Sequence, residues 1–114
     1  MTLERVADLE KVPVGGTLQV FTAGEPICLV RVDEHTVKAV HDTCSHQQFS
    51  LAEGWVEDGT IECNLHGSAF DLDSGAPTSL PAFKPIPVYA CQVRDGGVFV
   101  DATRALNGAP APRH

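Results

Sequence analysis

Short apolar stretches separated by turn-forming residues run through the chain, and their period is two rather than 3.6. Thr17–Phe21, Ile27–Val32 and Val37–Val40 predict three strands. Between them, Ala23-Gly24-Glu25-Pro26 and Asp33-Glu34-His35 put small or polar residues where the chain reverses, so the three read as an antiparallel meander. Trp55–Glu57 and Thr60–Glu62 flank Asp58-Gly59, a dipeptide suited to a type I′ hairpin because both turn positions take positive φ. Val88–Val93 and Val98–Val100, around Asp95-Gly96-Gly97, predict a last hairpin with Tyr89, Cys91 and Val93 on one face. No stretch carries a helical period and no segment repeats, which points to an all-β chain.

Two regions depart from this pattern. Gly75 to Pro87 holds Pro77, Pro81, Pro85 and Pro87, which fix φ and remove amide donors, so it is expected to be a stiff loop. The stretch Ala102 to His114, with Ala109-Pro110-Ala111-Pro112, reads as a frayed tail. With 114 residues, 43% hydrophobic and 20% charged, the expectation is one folded domain of ordinary composition. A net charge of −7 opposes binding to nucleic acid or to an anionic membrane, and favours a basic protein partner. No apolar run approaches a membrane span, and the N-terminus lacks a signal pattern, so a cytoplasmic location is expected.

That location changes the meaning of the four cysteines. In a reducing compartment they argue for metal or redox chemistry rather than disulfides. The candidate constellation is Cys44-Ser45-His46, sixteen intervening residues, then Cys63-Asn64-Leu65-His66, so that two short loops each offer one thiolate and one imidazole. A binuclear iron–sulfur cluster needs soft anionic ligands, and in the Rieske variant one iron takes two cysteines and the other two histidines. The Asp58-Gly59 hairpin would bring the two loops together. Structural zinc sites usually space their ligands C-x2-4-C and H-x3-5-H, which is not the spacing here. A cysteine–histidine nucleophile would leave the second matched loop unexplained.

Cys44-Ser45-His46 and Cys63-Asn64-Leu65-His66-Gly67-Ser68, with Gly75 and Leu80-Pro81-Ala82, resemble the Rieske ferredoxin family, in particular the ferredoxin components of bacterial ring-hydroxylating dioxygenase systems. The resemblance implies an antiparallel β-sandwich base with a small cluster-binding lobe, the lobe spanning about residues 43–81 of a single domain over residues 1–102, followed by a flexible tail over 103–114. It further implies one [2Fe–2S] cluster, with Cys44 and Cys63 on the buried iron and His46 and His66 on the outer iron, near solvent. Respiratory relatives carry a disulfide between the two cluster loops; Phe49 and Leu65 stand at the matching positions here. They also carry a serine and a tyrosine that donate hydrogen bonds to the cluster and its ligands; Ser68 matches the former, while Phe70 lacks the phenol. Fewer donors stabilise the reduced cluster less, so the expected potential lies toward the bottom of the ~−150 to +300 mV Rieske range, and falls further at alkaline pH as a histidine N–H is lost.

The function implied is one-electron transfer without substrate chemistry, from a flavin-dependent ferredoxin reductase to a terminal oxygenase, by a monomer. A chain of this length leaves no room for an oxygenase's own catalytic domain. The alternatives are a small Rieske-type subunit of an assimilatory nitrite reductase and, in another class, a zinc-binding interaction module. Around the site, Cys28 and Cys91 alternate with Val30, Val32, Tyr89 and Val93 and read as core residues; His35, His41 and His114 read as non-ligands. Trp55, Phe70 and Phe83 are expected in the core. Phe49, Leu80 and Pro81 suit either an apolar docking rim or a shield over the cluster, and Glu53, Glu57, Asp58, Glu62, Asp71 and Asp73 either steer a basic partner or solvate a face.

Overall fold

The structure, a computed structural model, describes residues 3–22, 24–43, 50–57, 59–62, 69–78 and 85–109. Its strands are β1 (Glu4–Asp8), β2 (Thr17–Thr22), β3 (Glu25–Arg31), β4 (Val37–His41), β5 (Trp55–Glu57), β6 (Thr60–Glu62), β7 (Ala69–Asp71), β8 (Val88–Arg94) and β9 (Gly97–Asp101). Short 3-10 turns at Leu9–Lys11 and Leu51–Glu53 are the only helical elements among the described residues. No helix among them is long and apolar enough to cross a membrane. The expected meander is present as β2-β3-β4, paired antiparallel throughout. The expected last hairpin is β8-β9, turned by Asp95 and Gly96 at φ 50° and 72°, with Gly97 already paired to Arg94. Two consecutive positive φ values are what a type I′ turn requires. In the β5-β6 hairpin Glu57 pairs with Thr60 and Gly59 has φ 78°, while Asp58 lies outside the described residues, as do Ala23, Phe83 and His114.

The large sheet runs β1-β9-β8-β4-β3-β2 and the small one β5-β6-β7. Only two residue pairs, Ala39 with Tyr89 and Val40 with Val88, join the halves of the large sheet. Those halves fold over one core made by Val12, Ile27, Leu29, Val37, Ala39, Tyr89, Val98 and Val100, and the edge strands meet where Thr22 Oγ1 donates to Glu4 Oε2 at 2.5 Å. This is the sandwich-like base. A second core lies between the base and the small sheet: Cys28, Val30, Val40 and Val88 contribute from one side, Leu51, Ile61, Phe70, Leu72 and Ile86 from the other. β3 therefore buries both faces, which is why Ile27, Cys28, Leu29 and Val30 read as a continuous apolar run rather than an alternation.

Three features differ from expectation. β1 was not foreseen, because it is an edge strand of mixed polarity without clean alternation. Neither was β7, only three residues long. Trp55, expected in the core, is 49% exposed: the inward row of the small sheet is Val56, Ile61 and Phe70, and Trp55 pairs with Glu62 in the row beside it, on the opposite face. Beyond β9 the chain returns to the body. Leu106 N donates to Val88 O at 2.6 Å, and the Asn107 side chain donates to Ser74 O and Ile86 O, both at 2.8 Å, and accepts from Val88 N at 3.3 Å. Residues 110–114 of the expected tail lie outside the described residues.

Candidate metal centre

Cys44, His46, Cys63 and His66 lie outside the described residues, but the frame that carries them is described up to the residue before each cysteine. Segment 44–49 leaves the end of β4 and returns at Ser50, which bridges antiparallel to Thr43. Segment 63–68 leaves β6 and returns at β7, where Glu62 pairs with Ala69. Each cysteine is thus the first residue after a cross-strand pair, and each six-residue segment is closed at its base in the same way.

The two bases also touch. Gly54 follows the 3-10 turn that leads out of Ser50, and a Cβ on it would lie 1.8 Å from the Glu62 carbonyl oxygen, so only glycine allows this approach. The proline-containing stretch joins the same place at both ends. Phe70 bridges Pro77, and Thr78 N donates to Ala69 O at 2.7 Å; on its return Pro87 O accepts from His41 N at 2.9 Å. Between them Gly75, at φ 75°, takes the Ile86 N–H on its carbonyl at 2.9 Å, and a Cβ there would lie 2.1 Å from Ile86 O.

Polar side chains hold the approach to the first segment. His41, 2% exposed, accepts from Thr43 N on Nδ1 at 3.1 Å, which leaves the hydrogen on Nε2 to donate to Glu25 Oε2 at 2.9 Å. Both ring nitrogens of His41 are thus engaged within the protein. Burial, and then the nearby charge of Asp42, push the Cys28 thiol well above its ordinary range, and burial pushes Cys91 up to about 12. Both are free thiols on core-facing strand positions. Among the described residues no group of three or more His, Cys, Asp or Glu could hold a metal. Of the acidic residues singled out, Asp73 pairs with Lys38 at 2.8 Å, and the Asp71 carboxyl is held below its usual range by the backbone N–H groups of Ser74 and Asp73. Phe49, Leu65, Ser68, Leu80 and Pro81 lie outside the described residues, whereas Phe70 is fully buried beside Leu51 and Ile61.

The donor chemistry suits a Rieske cluster: two thiols and two imidazoles, divided one and one between two segments whose bases adjoin. A family model described as the Rieske [2Fe–2S] domain matches residues 2–90. The chain belongs to that family. Its Rieske relatives include the ferredoxin subunit of anthranilate 1,2-dioxygenase from Burkholderia cepacia, 42% identical over 77 residues, which are 68% of this chain and 70% of that protein. The biphenyl dioxygenase ferredoxin subunit of Pseudomonas sp. strain KKS102 is 34% identical over 106 residues, 92% of this chain and 96% of that one. Among solved structures, the ferredoxin of carbazole 1,9a-dioxygenase from Nocardioides aromaticivorans IC177 superposes with a TM-score of 0.82 at 31% identity, over 99% of this chain and 100% of that one. A complex of reduced oxygenase and oxidized ferredoxin in carbazole 1,9a-dioxygenase contains a chain with TM-score 0.82 and 32% identity, covering 91% and 96%. A nitrite reductase small subunit from Mycobacterium tuberculosis, at 23% identity and TM-score 0.78 over 87% and 93%, shares the fold.

This Rieske protein is accordingly a ferredoxin, an electron carrier homologous to dioxygenase ferredoxin subunits, with one [2Fe–2S] cluster as its cofactor. The motif made the candidate ligands visible. Asp42, Ser50, Gly54 and Asn107 were missed because their roles depend on contacts between distant stretches; only the polar His41-Asp42 pair ending an apolar strand signalled a buried network.

Proposed function

We propose that the protein carries single electrons from a flavin-dependent ferredoxin reductase to the terminal oxygenase of a ring-hydroxylating dioxygenase system, through a cluster held by Cys44 and Cys63 on one iron and His46 and His66 on the other. The observation that carries the assignment is the matched closure of segments 44–49 and 63–68, each opened by its cysteine directly after a paired residue. When bound, the cluster supplies a reversible one-electron couple. The chain's own residues supply rigidity: two closed bases, Gly54 against Glu62, and Gly75 against Ile86 limit how far the ligands shift between redox states. The domain reading is one Rieske domain over residues 1–102 with its cluster lobe over 43–81. Free thiols at Cys28 and Cys91 suit a reducing compartment such as the cytoplasm.

Partner choice is supported by relatives that cover nearly the whole chain at 31–34% identity and are dioxygenase ferredoxins, one of them solved with its oxygenase. Reconstitution tests it. Purified protein, mixed with NADH and a flavoprotein ferredoxin reductase of such a system, is expected to be reduced, and then reoxidised by the oxygenase component with its aromatic substrate and dioxygen. Reduction only by a sirohaem nitrite reductase, or co-purification with one, would contradict the proposal, and a colourless zinc-loaded protein would remove the carrier role altogether.

A further inference from the structure

Asp42 is 2% exposed and stands two residues before Cys44. A carboxylate so buried must replace its water with donors. Three converge on it: Gln19 Nε2 and Ser50 Oγ each donate to Oδ2 at 2.6 Å, and Ala52 N donates to Oδ1 at 2.9 Å. Its backbone carbonyl accepts from Leu51 N at 2.6 Å. One residue on the entry side of segment 44–49 is therefore bonded to three consecutive residues on the exit side. Through Gln19 the clamp is tied to β2, and Thr17, also on β2, donates to Ala52 O at 2.7 Å. The base sheet thus grips both ends of the segment that bears Cys44 and His46.

We propose that Asp42 is the positioning residue of this ligand segment and that its buried negative charge holds the reduction potential of the bound cluster down. The proposal rests on Cys44 and His46 being ligands, as above. Two physical effects are combined in it. The hydrogen bonds close the segment and fix where its ligands stand, as outer groups around metal ligands commonly do. The charge, shielded from water, disfavours adding an electron nearby.

The two effects separate in variants of the full-length, cluster-loaded protein, read by redox titration followed by electron paramagnetic resonance (EPR) and by the rate at which visible absorbance bleaches in chelator. Asp42→Asn removes the charge and turns an acceptor into a donor; the potential is expected to rise and the cluster to be lost several-fold faster. Ser50→Ala keeps the charge and strips one donor from it; the cluster is again expected to be lost faster, but with a potential equal to or below that of the parent. Opposite or unequal shifts of this sign support the proposal. A parental potential in Asp42→Asn, with only Tm lowered, would reduce Asp42 to a fold residue and overturn it, as would equal upward shifts in both variants. Should Asp42→Asn hold no cluster, Ser50→Ala and Gln19→Leu decide: parental cluster lifetimes in both would overturn the clamp. Failure of the ligand assignment shows separately, as a parent protein without the EPR signature of histidine ligation.

Discussion

In the base, strands of five to seven residues pair along most of their length and enclose a core of their own, whereas the small sheet has three strands of three residues each and, among the described residues, no core it does not share. Strands that short do not hold together in water without outside support. The support comes from the shared core and from single contacts: Gly54 against Glu62, Gly75 against Ile86, Asp42 across the base of segment 44–49, and Asn107 reaching Ser74, Ile86 and Val88. The base spreads its stability over many equivalent pairs; the lobe concentrates its geometry in a few atoms. That division suits an electron carrier, in which the ligand frame must be stiff while the rest need only stay folded.

Two glycines separate the base from the lobe most strongly. Gly54→Ala drives a methyl into the Glu62 carbonyl beside the second ligand segment, and is expected to cost about 3 kcal/mol or more and abolish iron incorporation. Gly15→Ala in the base meets no such clash: Gly15 has φ 76°, unlike Gly54, but nothing lies within 4 Å of the added carbon, and a loss of about 1 kcal/mol with full iron content is expected. Urea midpoints and iron per chain check both, and equal outcomes would erase the distinction.

A matched pair of core truncations comes next. Leu51→Ala and Leu29→Ala each remove a fully buried side chain, and each is expected to cost about 2–5 kcal/mol in urea unfolding. Only Leu51 packs in the core shared with the small sheet, so only its truncation should speed bleaching of the folded protein by chelator.

Asn107→Ala removes three hydrogen bonds that tie the return of the chain to the Gly75 turn. A loss of about 1–3 kcal/mol is expected, with faster amide hydrogen exchange at Val88 and Ile86 and little change in β2-β3. Uniform loss of protection would mean that the two regions open together.

The smallest effect is a pH dependence at Asp71. Backbone N–H groups of Ser74 and Asp73 lower its folded pKa, so its contribution to stability is present above the unfolded carboxylate value, about 3.9, and is lost as pH falls through the lower folded value. An NMR titration should place its midpoint below that of a free aspartate, and Asp71→Asn should flatten the acid limb of the stability curve.

The sequence made the base legible where local chemistry decides: short apolar stretches bounded by turn residues drew β2-β3-β4 and β8-β9, and Asp95-Gly96 marked its own turn. The candidate ligands were equally local, marked by two short spacings. What stayed hidden depends on which backbone lies against which. Trp-Val-Glu at β5 does not say which residue faces inward until Ile61 and Phe70 line up beside Val56, and the expectation of a buried Trp55 failed there. Asn107 falls in a stretch that reads as tail, yet its amide finds partners made by residues more than twenty positions away at Ile86 and Ser74. Gly54 looks like any turn glycine until the end of β6 arrives against it.

In the proposed centre two histidines, one from each segment, share a cluster with two cysteines. Pulsed EPR of the dithionite-reduced protein, prepared with and without 15N-labelled histidine, tests it most directly. A low average g is expected, with couplings to two directly bound histidine nitrogens that change on labelling and are lost singly in His46→Cys or His66→Cys. A spectrum with the average g of all-cysteine clusters and no label-sensitive nitrogen would contradict it.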